Sequence, residues 1–254
     1  MGLELVRSLW IGNRLPPAQR ACIASFVRVG HSFELFTYDE VKGVPAGVRI
    51  RDAESIVPRD RIFRYGAAAG RSAGSLSGFS NLFRYAMLEA EGGYWVDTDT
   101  FCLQPFPADE LVISSELRGD GSQMPNCGVL KCPPGHAFAQ YCLARSERAD
   151  PATMAFGQTG PALTGEAVRA LGLEEYVLHP HAICSVSWFE HEQLCLPGTL
   201  PDAAVGLHLW SERWRLRGTD IPWPGPADSI LGILARGEAR AGASGAQSSF
   251  DRRW

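Results

Sequence analysis

Apolar and polar positions along the chain follow two rhythms. Leu3 to Ile11 is a short apolar run closed by Gly12-Asn13 and Pro16-Pro17, the punctuation of a buried strand. From Ala18 to Val29 apolar residues recur at helical spacing through Ala21, Ala24 and Val29. Phe33 to Tyr38 then alternates as a second strand, and Asp39 is placed to cap a short helix after it. Strand, helix, strand is how an α/β domain with a parallel sheet begins.

Residues 43–78 break the rhythm. They mix Gly and Pro with many Arg, and 66–78 is rich in Ala, Ser and Gly, so the stretch reads either as a surface loop or as a lid over a site. Periodicity returns sharply at Phe79, Leu82, Phe83, Ala86, Met87 and Ala90, one face of a helix that Ser77 or Ser80 is placed to cap and Gly92-Gly93 to stop. Tyr94-Trp95-Val96 follows as a short buried strand and runs directly into Asp97-Thr98-Asp99. Leu111–Ser114, Cys127–Leu130 and Ala204–Trp210 read as later strands. Helices are expected over His136–Glu147, over Pro161–Leu171 with proline in the first turn, and over Asp228–Arg236. One domain over 1–236 is expected, in two parts of about 1–115 and 116–236, with 237–254 a disordered tail. No internal repeat is present.

Composition narrows the function. The chain has 254 residues, 24 Lys and Arg against 28 Asp and Glu, and a net charge of −4, with only Lys42 and Lys131 as lysines. That balance lacks the basic footprint of nucleic-acid binding, so no nucleic-acid partner is expected. Seven cysteines form no C-x-x-C pair and read as reduced, core-packed thiols of an intracellular protein. There is no signal-peptide pattern and no run of 18 apolar residues, so the expectation is a cytoplasmic protein that touches a membrane only peripherally.

Two aspartates at i and i+2 after a buried strand project to one side if the chain stays extended. Their hard oxygens suit Mg²⁺ or Mn²⁺ better than softer metals. At the carboxyl end of a parallel strand they lie where open α/β sheets bind ligands. A divalent ion there bridges the oxygens of a diphosphate and stabilises charge on a phosphate leaving group.

Ser80-Asn81-Leu82-Phe83-Arg84-Tyr85 followed by Gly92-Gly93-Tyr94-Trp95-Val96-Asp97-Thr98-Asp99 resembles the sugar-binding region of D-x-D glycosyltransferases. The family in question includes initiating mannosyltransferases, α1,4-galactosyltransferases and bacterial capsular polysaccharide enzymes. Leu9-Trp10-Ile11-Gly12, Gly30 to Asp39, Asn126-Cys127-Gly128-Val129, Thr159-Gly160-Pro161 and His208-Leu209-Trp210 with Trp214 resemble its other blocks in order, over about residues 5–215. The resemblance implies a GT-A-type nucleotide-sugar transferase fold, α/β with a mixed, mostly parallel sheet flanked by helices. It implies a metal-dependent, retaining transfer from a nucleotide-sugar, UDP-sugar favoured, to a glycan or lipid-linked glycan in bacterial surface polysaccharide synthesis. Asp99 would bind Mn²⁺ or Mg²⁺ and Asp97 would contact ribose and sugar or a metal-bound water. Arg84 would neutralise phosphate or hold sugar hydroxyls, and Trp10 would stack on the base. His208 is a candidate third metal ligand or a structural histidine, Trp214 a cover for the donor or a packing residue. Asn126 and Thr159 would line the acceptor side. Where the family has Ser-Asp, this chain has Ser80-Asn81, which keeps hydrogen bonding to the donor but not charge.

Two other readings fit parts of the pattern. A D-x-D phosphatase needs Thr or Val where Phe101 stands, and a late acidic pair, for which no Asp-Asp occurs downstream. A catalytically silent sugar- or nucleotide-binding protein on the same fold is favoured by Asn81 and disfavoured by the intact Asp97, Asp99 and Arg84. No carboxylate in the second half, Glu166, Glu190 and Glu192 included, is singled out as a nucleophile by its spacing.

Overall fold

The computed structural model describes residues 3–237. The expected tail lies outside the described residues, apart from Gly237 at its start. Strand β1 (Leu5–Trp10), helix α1 (Pro17–Val29) and strand β2 (Ser32–Thr37) form as the opening rhythm predicts. Pro17 starts α1 and Gly30, in the left-handed region at φ 108°, ends it. No helix follows Asp39; its exposed carboxylate pairs with Arg59 at 3.0 Å instead. The irregular stretch carries strand β3 (Val48–Asp52) and three 3₁₀ turns at 53–55, 59–61 and 67–72, so it is more ordered than a plain loop.

Helix α2 (Ser77–Glu91) leads into β4 (Gly93–Val96), and β5 (Thr100–Cys102) follows the aspartates. Neither Ser77 nor Ser80 caps α2, whose N-cap is Leu76 with no side-chain bond. Its end does need glycine. Gly92 has φ 62°, and a Cβ there would stand 2.4 Å from Pro134 N. Strands β6 (Val112–Leu117) and β7 (Gln123–Cys132), helices α3 (Ala137–Ser146) and α4 (Leu163–Leu171), strand β8 (Gly206–His208) and helices α5 (Ser211–Arg215) and α6 (Ile230–Arg236) complete the elements. The turn expected to open α4 is a separate wide turn, Gln158–Ala162, kinked at Gly160.

Six strands form one sheet in the order β3-β2-β1-β4-β7-β6. The pairs β2/β3, β1/β2 and β1/β4 are parallel, whereas β4/β7 and β6/β7 are antiparallel. This is the mixed, helix-flanked α/β fold class expected. Alternation along β4 splits the core, since Tyr94 and Val96 join the apolar cluster with α1 while Trp95 joins that with α2. The late strand, expected over Ala204–Trp210, is shorter and leaves the main sheet. As β8 it pairs antiparallel with β5 in a two-stranded ribbon, Thr100 opposite His208. All seven cysteines are free and six are buried. Among the described residues no helix is long and apolar enough to cross a membrane.

Candidate functional site

The aspartates sit where β4 gives way to the ribbon. Asp97 N–H donates to Gly128 O at 2.7 Å, extending the sheet by one residue, and Thr100 N–H donates back to Asp97 O at 2.9 Å. Asp97-Thr98-Asp99 is therefore a tight turn, and the chain does not stay extended there. The carboxylates converge all the same, because β5 starts at once and its register delivers His208. His208 Nε2 lies 3.2 Å from Asp99 Oδ1. Ligand atoms of Asp97, Asp99 and His208 all fall within 4.8 Å of one another.

Each carboxylate is also held from behind. Asp97 Oδ1 accepts from Arg84 Nη2 at 2.6 Å and from Trp95 Nε1 at 2.9 Å. Asp99 Oδ2 accepts from the Ser211 backbone N–H at 2.7 Å, and Leu209 N–H donates to Asp99 O at 2.9 Å. Burial works against a charge on Asp99, but His208 and Ser211 outweigh it and hold its carboxyl below the usual carboxylate range. Burial likewise opposes the His208 imidazolium, and the Asp99 charge overrides it and raises the pKa. The His208 ring stacks obliquely on Trp210, centroids 4.1 Å apart.

Helix α2 supplies the rest of the floor. Asn81 and Arg84 are one turn apart, as the spacing predicts, and Arg84 Nη1 donates to Asn81 Oδ1. Arg84 is 2% exposed, its charge opposed by burial and restored by Asp97, so it stays cationic. Asn81 is buried too, its Nδ2 donating to Thr159 Oγ1 at 3.3 Å. The Cys127 thiol, kept neutral by a burial that pushes it up to about 11, points at Asn81 Oδ1. Gly160 lies over the amide; a Cβ there would stand 3.0 Å from Asn81 Nδ2.

From β7, Asn126 Nδ2 donates to Glu116 Oε2 at 2.6 Å, and Gly128 N–H donates to Asn126 Oδ1 at 2.5 Å. Burial pushes the Glu116 carboxyl up, while Asn126 and His208 pull it part of the way back. Sequence reasoning passed over Glu116, Trp95 and Ser211. For Glu116 a signal existed, since one acid in the strand Val-Ile-Ser-Ser-Glu-Leu has to find a partner when that strand is buried.

The two tryptophans differ. Trp10 ends β1 half-buried, its indole N–H against Gly12 and with no hydrogen-bond partner among the described residues. Trp214 is buried, with Nε1 donating to Leu209 O at 3.1 Å and its ring 4.8 Å from that of His191.

Two carboxylates, with an imidazole that releases its proton when a metal takes its place beside Asp99, are a donor set that Mn²⁺ or Mg²⁺ accepts. Room exists beside them because residue 128 is glycine. A Cβ there would lie 3.3 Å from both Asp97 Oδ2 and His208 Cε1. The residues present therefore fit a divalent cation.

Residues 52–118 match the family model described as the glycosyltransferase sugar-binding region containing DXD motif. The matched segment runs from the end of β3 to the end of β6, about a quarter of the chain. It contains Asn81, Arg84, Asp97, Asp99 and Glu116, whereas from beyond it His208 meets Asp99, Thr159 meets Asn81 and Asn126 meets Glu116. No curated protein matches the chain. Among solved structures, the PaToxG glycosyltransferase is similar at 12% identity over 67% of this chain and 70% of that one, with a TM-score of 0.47. The ligand-free glycosyltransferase domain of the YGT toxin is similar at 8% identity over 70% and 80%, also at 0.47. A transferase mutant with two cysteines replaced by serine is similar at 12% over 66% and 84%, at 0.40. Likenesses this distant say nothing of the substrates of this chain.

Proposed function

We propose that this protein is a metal-dependent, retaining glycosyltransferase. It moves a sugar from a nucleotide-sugar, UDP-sugar favoured, to a hydroxyl of a glycan or lipid-linked glycan in bacterial surface polysaccharide synthesis. The observation that carries this is the meeting of Asp97, Asp99 and His208 from the D-x-D turn and the ribbon, with Arg84 behind them. Asp97, Asp99 and His208 would hold Mn²⁺ or Mg²⁺. When bound, the ion supplies Lewis-acid stabilisation of the diphosphate.

The chain's own residues do the remaining work. Arg84, a fixed cation with one carboxylate partner, adds positive potential where negative charge develops on the leaving diphosphate. Trp10, at the end of β1, offers a ring for the base to stack on, and Trp214 packs the segment that carries Ser211 against Asp99. Asn126 and Thr159 border the side where an acceptor enters. A front-face transfer, in which the leaving phosphate takes the acceptor proton, asks the protein for position rather than for a base. Both halves of the chain contribute to such a site, 1–115 chiefly to nucleotide and metal, 116–236 to the sugars.

Thermal unfolding with UDP, GDP, CMP and ATP, each with Mn²⁺ or EDTA, tests this reading. Ligand at ten times its Kd stabilises by about 1.4 kcal/mol, a shift of roughly 3–5 °C for a chain of this size. A Mn²⁺-dependent shift with UDP is expected; no shift with any nucleotide overturns the proposal.

A further inference from the structure

We propose that Glu116 is a positioning residue, fixing the Asn126 carboxamide so that its oxygen faces the sugar being transferred. The inference rests on the glycosyltransferase reading and adds to it a residue that neither the D-x-D motif nor the metal set includes. A carboxamide has two ends that differ only in chemistry, and here both ends are assigned. A carboxylate only accepts, so the group that meets Glu116 Oε2 at 2.6 Å is the Asn126 amide. The Gly128 backbone N–H only donates, so the group it meets is the Asn126 oxygen.

That oxygen borders the cation space. The point where a Cβ of residue 128 would stand is 2.9 Å from Asn126 Oδ1 and 3.3 Å from Asp97 Oδ2 and His208 Cε1. One lone pair of Oδ1 remains for a donor. In a nucleotide-sugar the diphosphate has no donor to give and would be repelled by a carbonyl oxygen, whereas the sugar carries several hydroxyls. A hydroxyl of that sugar can therefore donate to Oδ1 where the diphosphate cannot. Keeping a carboxylate 5% exposed on β6 is costly, and an apolar residue would serve packing better. The hold on Asn126 is what that cost maintains.

Calorimetric titration of native protein, Glu116→Gln and Glu116→Leu with Mn²⁺ tests this. The probes are UDP and a panel of UDP-glucose, UDP-galactose and UDP-N-acetylglucosamine. Gln keeps an oxygen that can accept from Asn126, and Leu does not. UDP affinity should stay within about twofold in all three proteins. The extra affinity the best sugar confers should fall about tenfold in Glu116→Leu and no more than about threefold in Glu116→Gln, the size of one hydrogen bond. A Leu variant that keeps the sugar increment overturns the proposal. So does a Gln variant that loses as much as Leu, which would make the charge itself the active feature, and so does an equal loss for UDP and UDP-sugar. If Glu116→Leu does not fold, Asn126→Ala replaces it with the same expectations. Native protein that binds none of the probes overturns the UDP-sugar reading on which the proposal rests, an outcome distinct from all of these.

Discussion

Arg84 Nη2 lies 2.6 Å from Asp97 Oδ1, joining the middle of α2 to the turn that ends β4. The pair spans Gly92-Gly93, so the helix stop, the buried strand and the first aspartate are placed by one local unit. Among the described residues one carboxylate faces this guanidinium, a second contact being the neutral Asn81 oxygen. An Asp at that position would share the Arg84 charge between two acids; Asn leaves it undivided toward Asp97 and whatever anion lies beyond.

Arg84→Met should therefore be destabilising. It leaves Asp97 without its cation and Asn81 Oδ1 without its donor, and loss of one partner from a buried pair costs about 3–5 kcal/mol. Because Asp97 is a quarter exposed, the lower end is expected. Urea unfolding reads the loss directly. Adding Asp97→Asn should restore part of it, because the stranded charge is then gone. A double variant no more stable than Arg84→Met would show that the pair is not what holds α2 to the turn.

Asp99→Asn tests the other carboxylate. Its Oδ2 accepts from Ser211 N–H and its Oδ1 faces His208, so an amide of the same shape keeps the first contact and loses the charge. Transfer and donor hydrolysis should fall about 100-fold or more, because charge stabilisation at such a site is worth several kcal/mol. Circular dichroism should report an intact fold. Turnover equal to that of the native protein would remove Asp99 from the cation site.

Much of this was legible along the chain. Helix α2, the Gly-Gly stop, β4 and the aspartates are local, and a 3.6-residue rhythm followed by two glycines writes them plainly. The ribbon was not legible. Thr100-Phe101-Cys102 is too short to declare itself, and its partner lies about a hundred residues on, so the late strand reads as part of the main sheet until pairing is seen. His208 was named by resemblance, but the register that puts it opposite Thr100 is a tertiary fact. The same holds for Glu116, whose partner Asn126 faces it across an antiparallel pair with an irregular register. The cap expected of Ser77 or Ser80 failed because Leu76 takes that place and Ser75, outside the helix, accepts from Ser77 N–H.

His31 gives the fold a pH dependence away from the site. Its Nδ1 meets Glu4 O at 2.9 Å and its Nε2 accepts from Phe106 N–H at 3.1 Å, so the bonded form is the neutral ring protonated at Nδ1. Burial lowers its pKa, more than Glu4 raises it. In the unfolded chain the value is about 6.5. Above that pH both states are neutral and His31 contributes no slope. As pH falls below it the unfolded chain takes up the proton first, so stability declines until the lower folded value is reached. Urea midpoints at pH 7.5 and 5.5 should differ more for the native protein than for His31→Gln. His191, also lowered by burial, adds a parallel slope that is common to both proteins and cancels in the comparison. Equal differences would show that His31 carries no linked proton.

Gly128→Ala separates the space at the site from its charges. Gly128 is not in the left-handed region, so alanine there is free of backbone strain. Its Cβ would press on Asn126 Oδ1 at 2.9 Å and fill the gap before Asp97 Oδ2 and His208 Cε1. Overpacking of this kind costs about 1–3 kcal/mol, so the protein should still fold with a modestly lower Tm. No charge changes, no hydrogen-bonding group is removed, and Arg84 keeps its place. Any loss of Mn²⁺-dependent nucleotide binding must then come from lost room. We expect that binding to weaken about tenfold or more, read as a reduced thermal shift with UDP and Mn²⁺, while the variant's own melting stays cooperative. A full shift in Gly128→Ala would mean that cation and diphosphate lie elsewhere, and that Asp97, Asp99 and His208 meet only to tie the ribbon to the sheet.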